Sequence, residues 1–302
     1  MKTGIVCEGG GTKIAYTAGV LAALIEHNVN VDYIVGISAG AEVAVPYVSR
    51  QPEREYVIGV DTSAKPGLIG LKSLLREGSI FGIQDASRYV EEKAPLDFET
   101  FFSNPTECEV GVYDIKGHKT EYFGKEYIDE SNDLIIASCS LFLLSKPYKW
   151  NGKKYIDAGL VDMIPIEQAL KSGCDRVIVI STKEMGYRRK PANKFQLFGA
   201  WVLYHNKELT ANLRNRHINY NKQWDLIDRL EEEGKAMVLR PHKDFGLTRY
   251  TTDRGKLDKW FNLGKEETID RLPAIEAFLG GKERSFVEQL EQAACDKEKV
   301  PC

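Results

Sequence analysis

Within its first forty residues the chain twice runs from a short apolar stretch through a glycine turn into a helically patterned segment, and this repetition constrains the fold more than any other feature. Residues 3–7 lead into Gly9, Gly10 and Gly11, after which residues 15–27 carry Val20, Leu21, Leu24 and Ile25 at helical spacing. Residues 31–35 lead into Gly36 and then the helical segment 39–48. Short strands alternating with helices at this pitch predict βαβ units and a mainly parallel sheet, an α/β fold.

The same grammar returns further on. Residues 107–115 and 119–123, separated by Gly117, predict a strand, a turn and a returning strand, and residues 133–145 a helix running into an extended segment. A run at 155–159 precedes a helix opened by Pro165, and the β-branched stretch 176–181 predicts another strand. Residues 61–105 are irregular, interrupted by Pro66, Gly67, Gly70, Gly78 and Gly82. From about Gly199 the pattern is helical over 201–230, with a short strand at 236–239 and a helical tail from Lys265. The loop from Gly186 to Asn193 is the candidate boundary between a catalytic unit at 1–185 and a mainly helical C-terminal region at 186–302, either a separate unit or a continuation of the same domain.

Composition narrows the function classes. A net charge of −3 gives no general attraction to phosphate backbones, and the one short basic run, Arg188-Arg189-Lys190, reads as a solvated loop, so no nucleic-acid partner is expected. No stretch is apolar enough to span a bilayer, and the apolar start stops at Glu8 instead of building a signal-peptide core. The six cysteines, Cys7, Cys108, Cys139, Cys174, Cys295 and Cys302, show no metal-ligand spacing and no disulfide-scaffold density, which predicts reduced thiols, a cytoplasmic location and no metal.

Gly36-Ile37-Ser38-Ala39-Gly40 lies between an expected strand and an expected helix. A serine raised on such a turn needs small neighbours because the backbone crowds itself there, and the following helix points free N–H groups at charge forming beside it. Taken alone, the segment reads equally as a glycine-rich turn with an incidental serine. Gly9-Gly10-Gly11 also lies between strand and helix, and successive glycines let amides converge on one point, as an oxyanion hole requires. A phosphate cradle is the competing use, but no Gly-Lys-Ser/Thr closes the loop. A serine needs a base. His27 and His118 read as surface residues, and His205, His217 and His242 lie in polar helical or loop contexts. Asp157, in Ile156-Asp157-Ala158-Gly159, follows a strand run with two small residues behind it; a dry site would raise its pKa enough for proton transfer. Asp162 and Asp114 are the nearest decoys.

Taken together, Gly9-Gly10-Gly11-Thr12-Lys13, Gly36-Ile37-Ser38-Ala39-Gly40 and Asp157-Ala158-Gly159, in this order, resemble the patatin-like phospholipase family, over roughly residues 1–185. The later stretch, with Arg216-His217 and Tyr220-Asn221, is similar to a bacterial subgroup of that family. The resemblance implies a three-layer α/β/α sandwich and a carboxylic ester hydrolase that needs no cofactor. It makes Ser38 the nucleophile, Asp157 the base and the amides of Gly10 and Gly11 the oxyanion hole, with Lys13 on the substrate or anion side. Ala158 replaces a commoner glycine, a mild change, and Ile14 stands where the family usually has glycine, which bears on substrate size and not on the chemistry. The expected substrate is a lipid or acyl ester, reached through transient membrane-surface contact. An acyltransferase using the same acyl-serine and a non-catalytic lipid-binding protein are the alternatives. The apolar residues Leu68, Ile69, Leu71, Leu74, Leu75, Ile80 and Phe81 read either as the lining of an acyl groove or as cover for the core.

Overall fold

A computed structural model describes residues 1–280, so Cys295, Cys302 and the end of the expected helical tail lie outside the described residues. The apolar runs form one sheet from β1 (Thr3–Cys7), β2 (Tyr33–Ile37), β3 (Glu107–Asp114), β4 (Lys119–Gly124), β5 (Tyr148–Trp150), β6 (Lys153–Asp157), β7 (Arg176–Ile180) and β8 (Ala236–Leu239). Its order is β5-β6-β3-β2-β1-β7-β8, with β4 also paired to β3. Pairing is parallel from β3 through β2, β1 and β7 to β8, and antiparallel where β4 and β6 meet β3 and where β5 meets β6.

The central strands are fully buried because both sheet faces are covered. Side-chain alternation divides β1 between two cores. Ile5 and Cys7 pack with the helices α1 (Ala15–Glu26) and α2 (Ala39–Val48), whereas Val6 packs with Val179, Ile166, Trp224 and Ile227 on the other face. This is the expected α/β/α arrangement with a mainly parallel sheet and a largely helical C-terminal region.

Residues beyond Gly186 share these cores. β8 extends the parallel edge beside β7, and Leu257, Trp260 and Phe261 join the α1 side of the sheet. The expected helix at 201–230 is two helices, Lys194–Tyr204 and Lys207–Glu232, broken where His205 takes the left-handed conformation and Asn206 caps the second by accepting from the Glu208 and Leu209 amides. The last described helix begins at Arg254, ahead of the expected Lys265, because Asp253 caps it. That helix crosses α1 at glycines on both sides. A Cβ on Gly19 would lie 1.9 Å from the Phe261 carbonyl oxygen, and one on Gly264 would lie 2.2 Å from that of Tyr16.

Backbone cannot withdraw as a flexible side chain does, so Gly19→Ala or Gly264→Ala must push the two helices apart. Each is expected to destabilise the fold by about 3 kcal/mol, the upper end of ordinary overpacking. Chemical denaturation checks this, and a midpoint unchanged for both variants would contradict the close crossing.

Candidate active site

The site arises where β3 changes partner. Its first part pairs with β2, ending with Ile37 opposite Gly111, and its last residues pair with β6, beginning with Asp157 opposite Val112. Adjacent register positions on one strand thus bring the residue after Ile37 beside the residue that ends β6. The end of the helix Asp133–Ser138 and the residues just after it fill the gap between the two strand ends. The Ser138 hydroxyl accepts from the Ser38 amide at 2.9 Å and donates to the Gly111 carbonyl at 2.8 Å, while the Asp157 amide donates to the Ser140 carbonyl at 2.8 Å.

Ser38 itself has φ 57° and ψ −136°, the left-handed region that a non-glycine residue avoids. The turn is tight enough that a Cβ on Gly36 would lie 2.3 Å from the Gly40 carbonyl oxygen, and one on Gly40 would lie 2.5 Å from that of Cys7. Glycine at both positions is therefore a steric requirement of the turn that lifts Ser38 between β2 and α2.

The Ser38 hydroxyl lies beside the Asp157 carboxylate and favours its ionised form. Asp157 is 2% exposed, and one carboxylate oxygen accepts from the Gly159 amide at 2.7 Å. Burial pushes its pKa up, against the opposing pull of the Gly159 amide, Arg216, Ser38 and Arg249. The decoys are engaged elsewhere. Asp162 bonds Tyr122 and Gln223, and burial raises it to about 6; Asp114 pairs with Lys153 at 3.1 Å. Among the described residues no histidine bonds Ser38 or Asp157: His242 pairs with Glu267, and His217 bonds the Arg214 carbonyl.

At the end of β1, the amides of Glu8, Gly9 and Thr12 donate to the carbonyls of Ile180, Met163 and Arg249. Those of Gly10 and Gly11, between them, have no acceptor among the described residues. Gly9 sits against Ser38, since its Cβ would lie 3.2 Å from that of Ser38. The buried ammonium of Lys13 pairs with Asp244 at 3.0 Å and lies over the Trp260 ring, and Trp260 Nε1 donates to the Lys13 carbonyl at 2.9 Å. Lys13 thereby ties the glycine loop to the C-terminal region.

A narrow cavity of about 70 Å³ opens beside Ser38, walled by Ile14, Ile58, Leu68, Phe81, Val90 and Leu141 among others. Of the apolar residues in the irregular region, Leu68, Ile69 and Phe81 line it, whereas Leu71, Leu74 and Leu75 face solvent. Sequence reasoning missed two polar residues here. Glu42 sits one helical turn after Ser38 in the cavity wall, beside Cys139; burial raises Glu42 to about 7, against the opposing pull of the Cys139 thiol. An acidic residue inside the otherwise apolar α2 was the available signal. Ser138 was missed as well, because nothing local marks a hydroxyl that bridges two distant strand ends.

Comparison with known proteins adds independent findings. Residues 5–170 match the family model described as patatin-like phospholipase, and residues 206–280 match a domain of unknown function (DUF6363). The chain is 24% identical over 186 residues to the uncharacterized protein YjjU of Escherichia coli, covering 60% of this chain and 52% of that protein. It is 26% identical over 291 residues to the lysophospholipase NTE1 of Candida albicans, covering 88% of this chain and 20% of that protein. The chain thus matches only about half and a fifth, respectively, of these relatives' lengths. The crystal structure of VipD from Legionella pneumophila aligns with a TM-score of 0.48 at 12% identity, covering 90% of this chain and 67% of that one.

The bridging role of Ser138 yields a direct test. Ser138→Ala leaves a buried amide and a buried carbonyl without partners, which is expected to cost about 1–3 kcal/mol. Equilibrium unfolding measures it, and a loss under about 0.5 kcal/mol, as for an ordinary surface substitution, would show that the hydroxyl does not hold the two strand ends.

Proposed function

The chain belongs to the patatin-like phospholipase family, and from that premise we propose that it is a serine lipid-acyl hydrolase with Ser38 as nucleophile and Asp157 as base. The observation that carries this reading is the strained Ser38 turn with a buried carboxylate beside it, one on which the Ser38 hydroxyl acts. Asp157 takes the hydroxyl proton as Ser38 Oγ bonds to the acyl carbon. The carbonyl oxygen becomes an oxyanion between the amides of Gly10 and Gly11, whose donors are worth roughly a hundred- to a thousandfold in rate each. Collapse of this intermediate breaks the ester, and the leaving alcohol takes the proton from Asp157. Water then gives its proton to Asp157 and attacks the acyl-serine; the proton returns to Ser38 as the fatty acid departs. The scheme uses no metal or organic cofactor.

A carboxylate is a weak base in water, and burial helps in two ways. It raises the proton affinity of Asp157, and it removes the water that would otherwise occupy the carboxylate. The cavity beside Ser38 suits one end of an acyl chain, with Ile14 setting its width where a glycine would leave it wider.

Ser38→Ala and Asp157→Asn are each expected to lower ester turnover at least about a thousandfold. Turnover by the wild type should fall as pH drops through the raised pKa of Asp157, because only the ionised form accepts the proton. Arg216→Gln should move that limb to higher pH, since Arg216 favours the carboxylate. Asp157→Asn should also raise the melting temperature at pH 7. A carboxyl whose pKa rises on folding disfavours the folded state above its unfolded pKa, and the amide removes that cost. Full turnover by Asp157→Asn would end the assignment.

Acyl selectivity gives a separate expectation. Ile14→Ala widens the cavity and should raise turnover of long-chain relative to short-chain esters several-fold, whereas Leu74→Ala with Leu75→Ala should leave the ratio unchanged. A ratio insensitive to Ile14 but sensitive to the leucine pair would place the acyl chain elsewhere.

A further inference from the structure

Four cationic side chains surround the glycine loop and Asp157, drawn from stretches far apart in sequence. Lys183, just beyond β7, donates its ammonium to the Thr182 hydroxyl at 2.8 Å, and that hydroxyl oxygen lies 2.9 Å from where a Cβ on Gly10 would stand. Arg249 lies across Gly11: its carbonyl accepts the Thr12 amide at 3.2 Å, and its Cβ is 3.0 Å from where a Cβ on Gly11 would be. Arg216 donates Nε to the Gly159 carbonyl at 2.6 Å, two residues beyond Asp157. The Arg189 guanidinium lies 4.7 Å from the ring centre of Tyr220, whose hydroxyl donates to Glu8 at 2.7 Å.

These charges are not balanced within the protein. The carboxylates that act on Arg216 and Lys183 are Asp157 and Glu8, respectively, and Glu8 already accepts from Tyr220, Ser181 and the Thr182 amide. Asp244 is taken by Lys13. Among the described residues none of the four cations forms an ion pair; Arg189 Nε is buried without a hydrogen-bond partner, and the Arg249 guanidinium has no acceptor. Burial lowers Lys183 to about 8 and Arg216 to about 9, and repulsion from neighbouring cations deepens both shifts. Gathering partly buried like charges is unfavourable unless an anion completes the set. Stabilising the Asp157 carboxylate alone would need one such cation beside it, and the cations that act most on Asp157 are Arg216 and Arg249.

We propose that Lys183, Arg189, Arg216 and Arg249 form the seat of an anionic head group, a phosphate monoester or similar oxyanion carried by the lipid whose acyl ester reaches Ser38. This rests on the reading of Ser38 and Asp157 given above, and it makes the site selective for acidic over neutral lipid esters. Two of the four, Arg216 and Arg249, lie in the segment that matches the domain of unknown function, which gives that segment a part in substrate recognition. Arginine and lysine together suit a phosphate, the planar forks giving paired hydrogen bonds and the ammonium a point charge.

The test uses the Ser38→Ala protein and calorimetric titration with three probes below their micellar concentrations: a 1-O-alkylglycerol 3-phosphate, the same alkylglycerol without phosphate, and inorganic phosphate. The ether linkage makes binding independent of turnover. The phosphorylated lipid should bind at least about tenfold more tightly than the neutral one, an advantage that shrinks with added salt and is lost in Arg189→Gln with Arg249→Gln. The salt series on the parent protein supplies the reading if that double variant does not fold. Equal affinity for the two lipids, or a phosphate advantage insensitive to both salt and the arginines, overturns the proposal. Inorganic phosphate binding as tightly as the lipid phosphate overturns it too, by marking a free-phosphate site. Ser38-dependent turnover of a short-chain 1-acylglycerol 3-phosphate by the wild-type protein is measured alongside; its absence beside intact phosphate selectivity would sink the hydrolase reading and leave the anion site standing.

Discussion

The partner change along β3 is the constraint on which the rest of the site depends. Because β2 stops opposite Gly111 and β6 begins opposite Val112, one strand sets the distance between a turn near the start of the chain and an aspartate more than a hundred residues later. Neither element could do this alone: β2 ends in a turn that carries Ser38 out of the sheet, and β6 arrives antiparallel with Asp157 as its last residue. The ladder is open at the changeover, and the Ser138 hydroxyl closes it by joining the Ser38 amide to the Gly111 carbonyl. The strain at Ser38 persists because hydrogen bonds and two sterically enforced glycines over-determine its position.

The C-terminal residues are bound into this arrangement at the same end of the sheet. Glu8, fully buried at the end of β1, takes hydroxyls from Ser181 beyond β7 and from Tyr220 on the helix Lys207–Glu232. Lys13 reaches Asp244, Arg216 reaches the Gly159 carbonyl, and the Arg249 carbonyl holds the Thr12 amide. Polar groups from the later chain therefore hold the glycine loop and the Asp157 turn in place, and they leave cations facing both. A buried network of this kind adds little stability on balance, but it fixes one geometry, which a preorganised site requires.

Much of this was legible in the sequence, for reasons that can be named. β2, the Ser38 turn and α2 announce themselves because the backbone at Gly36 and Gly40 has no room for a side chain, and such steric demands leave permanent marks on residue type. Asp157 could be singled out by small neighbours, and Gly159 is indeed so close that its Cβ would lie 2.9 Å from a carboxylate oxygen. What could not be read depends on long-range contact. The break at His205, the early start at Arg254 and the solvent-facing Leu71, Leu74 and Leu75 all depend on what packs against each segment, since periodicity alone does not say which apolar face finds a partner. The Glu42–Cys139 contact and the convergence of Lys183, Arg189, Arg216 and Arg249 were illegible for the same reason: each member looks like an ordinary polar residue until the sheet gathers them.

A crystal structure of the protein after reaction with a fluorophosphonate would show whether Ser38, the glycine-loop amides and Asp157 meet at one point. The expected product carries a phosphonyl group on Ser38 Oγ, its free oxygen accepting from the amides of Gly10 and Gly11, with the Asp157 carboxylate within hydrogen-bonding distance of Oγ. A phosphonyl group on any other residue, or a histidine ring in the place of Asp157, would contradict this arrangement.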